Sequence, residues 1–270
     1  MYRLISILAV LLFTGQASAQ KAEELRDLFG DYTYSFLHYD LQAKMLHMYT
    51  DTLPDGSLQA MKAYSPCSTF KIPNSMIALE SGAISGPDEM LEWDGEKRFY
   101  DKWNQDHNLR MAFKHSAVWF YQEMARRVGK ENMQEWLNKL NYGDKNIGDD
   151  VTTFWLEKGL KISANQQWDF LVRLALNELP FSRETMDTFR NEIFPRGTVE
   201  GGYFCGKTGT SLRTAERIGW YVGWVERNGE YHIFVTNILG PEATGRVAEE
   251  ITIKVLHRLH VLKGKEPHRL

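Results

Sequence analysis

The last third of the chain constrains the fold most. "GGYFCGKTGT" (201–210), "RIGWYVGWVE" (217–226) and "EYHIFVTNIL" (230–239) are runs of alternating or continuous apolar residues separated by short polar connections. Runs with that spacing predict an antiparallel meander, since a parallel return needs a much longer crossover. Residues 31–38 ("DYTYSFLH") and 44–50 ("KMLHMYT") alternate in the same way and predict two further strands, followed by turn chemistry in "DTLPDGS" (51–57).

Helices frame these strands. "KAEELRDLF" (21–29) is amphipathic and stops at Gly30, and a last helix is predicted over 242–260. From about 69 to 195 the texture is helical. "STFKIPNSMIALESG" and "SAVWFYQEMARRVG" each open on Ser and close on Gly, and 131–140 and 163–179 space their apolar residues by three and four, with Ser163 as an N-cap. The expected fold class is α/β (α+β): an antiparallel sheet flanked by N- and C-terminal helices, with an all-helical subdomain inserted. The α/β part would take about 20–68 and 196–265 and the helical part about 69–195, and a seam of that kind is a common place for an active cleft.

The first residues read as an export leader. Arg3 supplies a positive start, "LISILAVLLF" (4–13) an apolar core and "ASA" (17–19) a small-residue cleavage site. The apolar run is too short to span a bilayer, and no later segment approaches the roughly 18 apolar residues that a span requires. Residues 1–19 are therefore expected to be removed, leaving 20–270 as one periplasmic domain without a stable membrane anchor. A formal charge of −3 argues against a nucleic-acid or anionic-membrane partner. Trp and Tyr are plentiful, at 8 and 12, and aromatics that are not all needed for a core often line a small-molecule cleft.

Cys67 and Cys205 would enter an oxidising compartment. A bridge between them would be worth roughly 4–5 kcal/mol on chain entropy. Two buried thiols acting as small hydrophobes is the competing reading, and the sequence leaves the pairing open. Two cysteines alone cannot cage zinc and no H-E-x-x-H pattern adds imidazoles, so no metal is expected.

The chemistry-bearing words are short. In "PCSTFKIPNS" (66–75), Ser68 and Lys71 lie three residues apart, which on a helix places both on one face. A helix mouth there aims N–H groups at whatever binds above Ser68. Burial beside Phe70 and Ile72 would lower the Lys71 pKa and let it act as a base. The plainer reading is an N-cap serine followed by a solvated lysine, and Ser18 and Lys21 share the spacing by accident. "KTG" (207–209) puts Lys207 and Gly209 on one strand face, where the glycines at 206 and 209 admit another backbone or a ligand. In "SAV" (116–118), Ser116 opens a helix and is either a proton relay or a cap.

In order and spacing, "STFK" (68–71), "SAV" (116–118), "YGD" (142–144), "FWLEKGLKIS" (154–163), "KTGT" (207–210) and "GWYVGW" (219–224) resemble the class D, oxacillinase-type, serine β-lactamases across essentially the whole mature chain. S-A-V replaces the S-D-N of class A relatives, and no class A glutamate loop is evident. The resemblance implies the serine β-lactamase and penicillin-binding-protein fold, and hydrolysis of β-lactams through an acyl-serine. It implies Ser68 as nucleophile and Lys71 as general base after carboxylation of its amine (N6-carboxylysine), with CO2 or bicarbonate consumed for that and no separate cofactor.

Carried over residue by residue, Trp155 would donate its indole N–H to the carbamate, and Val118 and Leu156 would limit water access there. Ser116 would relay a proton to the leaving nitrogen and Lys207 would tune it. The Ser68 and Thr210 N–H groups would form the oxyanion hole. Thr208 and Arg246 would help bind the substrate carboxylate, with Gly209 also substrate-binding and with Arg213 and Arg217 as rivals to Arg246. The family's third motif usually ends in Asn where Asp144 stands, which reads as a structural variant of a side-wall loop. A slowly deacylating β-lactam sensor, a penicillin-binding enzyme and a non-catalytic exported binder are the alternatives. Substrate range, which rests on loops near 98–108 and 211–217, and assembly as a homodimer are left open.

Overall fold

The computed structural model of the chain describes residues 23–156, 159–211, 217–263 and 268–269; the expected leader and Arg213 lie outside them. Strands β1 (Thr33–Asp40) and β2 (Met45–Thr50) form the first hairpin, and β6 (Gly202–Ser211), β7 (Ile218–Arg227) and β8 (Glu230–Leu239) form the meander. With β5 (Pro195–Val199) and β9 (His268–Arg269) they make one sheet of order β2-β1-β8-β7-β6-β5-β9. β1 runs antiparallel beside β8, with Thr33 opposite Leu239 and Asp40 opposite His232, so the two ends of the chain close one sheet.

Both faces of the sheet are covered, and the strand sequences show why. Phe36, Phe204, Tyr221, Phe234 and Ile238 point to one side. There they pack on Leu25 and Phe29 of α1 (residues 23–29) and on Ala248, Val255 and Leu256 of α8 (Gly245–Arg258). Their neighbours Leu37, Trp220, Val222, Trp224, Ile233 and Val235 point to the other side, into a larger core. That core is filled from α2 (Lys71–Glu80), α3 (Leu109–His115), α4 (Val118–Val128), α5 (Lys130–Leu140) and α6 (Ala164–Ala175). A sheet buried on two faces explains the near-continuous apolar run of β7. Among the described residues no helix is long and apolar enough to cross a membrane.

Helix starts follow local chemistry where it exists. Ser163 caps α6 in a reciprocal capping box with Gln166. Two starts differ from expectation. The helix predicted from Ser68 begins at Lys71, preceded by a 3₁₀ turn over Cys67–Phe70. The helix predicted from Ser116 begins at Val118, because Ser116 instead ends α3 in the left-handed conformation at φ 54°. A small two-stranded sheet, β3 (Ala63–Tyr64) with β4 (Ile162–Ser163), and the short α7 (Arg183–Thr188), whose N-cap Ser182 accepts from the Thr185 N–H at 3.2 Å, complete the fold.

Candidate active site

Ser68 sits in the middle of the 3₁₀ turn, and the turn is held from three directions. The Cys67 N–H and the Ser65 hydroxyl both donate to the Trp155 carbonyl, at 3.0 and 2.7 Å. From β7, Trp220 Nε1 donates to the Ser65 carbonyl at 2.9 Å. From α6, Gln167 Nε2 donates to Thr69 Oγ1 at 2.7 Å, and Thr69 Oγ1 donates in turn to the Pro66 carbonyl at 2.7 Å. This anchoring holds Cys67 at φ 50°, a left-handed conformation that a non-glycine residue keeps only when its surroundings enforce it. The Cys67 and Cys205 thiols are both buried and are not joined to each other.

The serine is partly exposed, and its hydroxyl caps nothing: Lys71 Nζ donates to Ser68 Oγ at 2.8 Å. Lys71 itself is 0% exposed, so the reading of a solvated surface lysine fails. Burial lowers its pKa to about 7, against a smaller upward pull from Cys67. The ring of Tyr121 lies 5.1 Å from Nζ. Burial holds the Tyr121 hydroxyl neutral by pushing its pKa up, and that hydroxyl hydrogen-bonds Ser75 at 2.8 Å.

β6 forms the opposing wall. A Cβ at Gly209 would stand 2.9 Å from the Pro66 carbonyl oxygen and 3.1 Å from Thr69 Cγ2, so the absent side chain is what lets the strand lie against the Ser68 turn. Lys207, on the same strand face, is buried and its Nζ donates to the Thr208 carbonyl at 3.1 Å. Its pKa is pushed well below the ordinary lysine value, first by burial and then by Lys71 and Arg196. Two buried lysines that repel each other favour a site in which at least one amine is neutral.

Thr208 and Thr210 face the other way, toward α8: Thr210 Oγ1 accepts from the Gly245 N–H at 2.8 Å, and a Cβ at Gly245 would meet Thr208 Cβ at 2.8 Å. Arg246 follows Gly245 and is paired with Glu250 at 3.0 Å along its own helix, its side chain 86% exposed. An exposed pair of this kind is worth at most about 1 kcal/mol and does not lock the guanidinium. Arg217 is paired with Glu242 at 3.7 Å.

Ser116 is partly exposed in the break between α3 and α4, and its N–H donates to the Phe113 carbonyl at 3.2 Å. The Phe113 ring lies 5.8 Å from Lys207 Nζ, so Phe113 links the two neighbourhoods. Val118, in the first turn of α4, and Leu156 are both partly buried. Trp155 is wholly buried and stacks on Phe70 at 5.5 Å, and its Nε1 has no hydrogen-bond partner among the described residues.

The profile of the penicillin-binding-protein transpeptidase domain matches residues 14–257. The chain is 36% identical to the probable β-lactamase YbxI of Bacillus subtilis over 86% of this chain and 83% of that protein. It is 38% identical to β-lactamase OXA-48 of Klebsiella pneumoniae over 76% of this chain and 77% of that protein. The crystal structure of FUS-1 (OXA-85), a class D β-lactamase from Fusobacterium nucleatum subsp. polymorphum, superposes with a TM-score of 0.81 at 36% identity, covering 89% of this chain and 99% of that one. The chain belongs to the class D serine β-lactamases.

As a class D chain it departs from the usual third motif at Asp144, and the structure gives that residue a backbone task. Asp144 Oδ1 accepts from the Asn146 and Lys161 N–H groups at 3.1 and 3.0 Å. Its own N–H donates to the Lys161 carbonyl at 2.9 Å, so the 142–148 loop is clamped to the strand leading into α6. Gly143 precedes it at φ 57°, where a Cβ would stand 2.3 Å from the Lys161 carbonyl oxygen. Sequence reading missed Gln167, Trp220 and Tyr121, which hold the turn and flank Lys71. Gln167 alone left a signal: it is a polar residue on the apolar stripe that Ala164 and Leu171 define, and such a residue must find a buried partner.

Proposed function

We propose that this class D enzyme hydrolyses β-lactam antibiotics through an acyl-Ser68 intermediate, with Lys71, carboxylated by CO2, as general base in both half-reactions. The observation that carries the reading is a lysine with no solvent exposure, hydrogen-bonded to the serine hydroxyl and brought to a pKa of about 7. Only a neutral amine adds CO2, and burial supplies that neutrality near physiological pH. The orphaned Trp155 Nε1–H supports the fit, since a buried indole donor without a partner is costly and a buried anion would satisfy it.

When bound, the carboxyl group supplies an anionic oxygen base at the end of Lys71. Ser68 Oγ then bonds to the lactam carbonyl carbon while its proton leaves toward Lys71. The carbonyl oxygen gains charge between the N–H groups of Ser68 and Thr210. As the lactam C–N bond opens, Ser116 passes a proton to the ring nitrogen, and Lys207 sets the local potential. In the second half, water adds to the acyl carbon, its proton leaves toward Lys71, the ester C–O bond breaks and Ser68 recovers its proton. Val118 and Leu156 restrict how much water reaches the Lys71 end, and Thr208, Gly209 and Arg246 receive the substrate carboxylate. The leader over residues 1–19 would deliver the enzyme to the periplasm.

A chromogenic cephalosporin tests the reaction class. Turnover of many equivalents supports a hydrolase. A burst of one equivalent indicates a sensor or a penicillin-binding enzyme, and no colour indicates a binder.

A further inference from the structure

Ser116 holds a left-handed conformation at φ 54° that its own residue type does not favour, so something outside it must enforce the position. The residue before it is gripped twice by the 91–107 loop. Trp103 Nε1 donates to the His115 carbonyl at 2.9 Å, and His107 Nε2 lies 3.2 Å from His115 Nδ1. The gripping loop is itself fixed. Leu91 and His107 exchange backbone hydrogen bonds at 2.8 and 3.1 Å, and Trp119 Nε1 donates to the Trp103 carbonyl at 2.9 Å. The His107 ring is 0% exposed and meets the Trp119 ring edge-on at 5.6 Å.

The proton arrangement in this pair follows from its partners. His107 Nδ1 lies 2.8 Å from the Gln105 carbonyl, which can only accept, so that nitrogen carries the hydrogen. In the neutral pair His107 Nε2 is then the acceptor and His115 Nδ1 the donor. Burial, with His107, Lys102, Lys114 and Arg196 nearby, pushes the His115 pKa down and keeps that ring neutral.

We propose that His107 and His115 are positioning residues for Ser116: their ring-to-ring hydrogen bond, with Trp103, fixes the backbone at His115 and so sets where the Ser116 hydroxyl points. Both histidines act through Ser116. The inference rests on Ser116 being the proton relay to the leaving nitrogen, and the test separates the two ideas.

Four variants serve: His115→Leu, His115→Asn, Ser116→Ala and the His115→Leu/Ser116→Ala double. Each is assayed for kcat and KM with a chromogenic cephalosporin, and for its thermal midpoint. His115→Leu should lower kcat roughly ten- to a hundredfold with KM within about twofold, the scale that misplacing a group by an ångström produces. His115→Asn puts an amide N–H where the ring Nδ1–H stood and should restore most of that loss. In the Ser116→Ala background, His115→Leu should cost nothing further. If His115→Leu fails to fold, Trp103→Phe replaces it, deleting the other bond to His115, with the same expectation. The inference is overturned if His115→Asn is as impaired as His115→Leu, or if the loss persists undiminished in the Ser116→Ala background. Wild-type turnover by Ser116→Ala would instead remove the relay role itself, and the inference with it.

Discussion

Lys71 Nζ and Ser68 Oγ share a 2.8 Å hydrogen bond at a point where the lysine has no exposure to solvent. What lowers the pKa is burial, and among the described residues the opposing influence is Cys67, not a carboxylate counter-ion. A buried lysine without an acid partner is expensive to keep charged. The fold tolerates it because the amine can lose its proton, and a neutral amine is the form that the proposed base role requires.

The first prediction concerns pH. The unfolded chain holds the Lys71 proton up to about 10.4, whereas the folded chain gives it up near 7. Between those values the unfolded state binds more protons, so the contribution of Lys71 to stability rises with pH across the window and is flat below it. In CO2-free buffer the urea midpoint of the wild type, measured against Lys71→Met, should gain on the variant from pH 7 to 10. Parallel curves would show that Lys71 is not depressed. Activity should fall as pH drops below about 7, where the charged amine no longer adds CO2.

Trp155→Phe removes the orphaned donor and keeps the stacking on Phe70. If the donor holds the carboxylated form, bicarbonate should raise the thermal midpoint of the wild type and leave that of the variant almost unmoved. The variant should also need at least about tenfold more bicarbonate for half-maximal turnover, a loss of roughly 1.4 kcal/mol that fits one charge-assisted hydrogen bond. Equal bicarbonate responses would remove Trp155 from this role.

Gly209→Ala should push β6 off the nucleophile turn, because the new Cβ meets backbone at 2.9 Å and has Trp220 Cβ 3.2 Å away on its other side. Overpacking of this kind costs about 1–3 kcal/mol. On the proposed mechanism turnover should drop on the order of a hundredfold, since the strand and the serine would have to keep their separation for the proposed oxyanion donors to converge. Calorimetry and steady-state kinetics on the same preparation check both.

Asp144→Asn should change little. One oxygen, Oδ1, makes both backbone contacts, and an amide oxygen in that rotamer can accept them equally. Stability within about 0.5 kcal/mol and turnover within about twofold are expected. Asp144→Ala loses both contacts and should cost about 1 kcal/mol, moderated because the residue is exposed. A large loss of turnover in the Asn variant at unchanged stability would give the carboxylate charge a chemical task.

Much of the sheet was legible because β-strand burial is written in the side-chain period. Trp220 and Val222 alternate with Tyr221 across two cores, and the short connections left no room for another topology. Ser163 was legible as a cap for the same local reason. Ser116 was not, because nothing in "HSAVW" marks a left-handed break; the reason lies in Trp103 and His107, brought there by the tertiary fold. The 3₁₀ turn at Ser68 was likewise set at long range, by Trp155, Gln167 and Trp220. That Lys71 and Ser68 face each other was legible in their spacing, but that the lysine is wholly buried could come only from packing.

The account turns on Lys71 carrying CO2 while it serves as base. The most direct measurement is the carbon NMR spectrum of active enzyme equilibrated with 13C-labelled bicarbonate, recorded beside that of Lys71→Ala. A protein-bound carbamate resonance that appears in the wild type, is absent from the variant, and fades in step with activity on acidification is the predicted result. Fully active wild-type enzyme with no such resonance would contradict it.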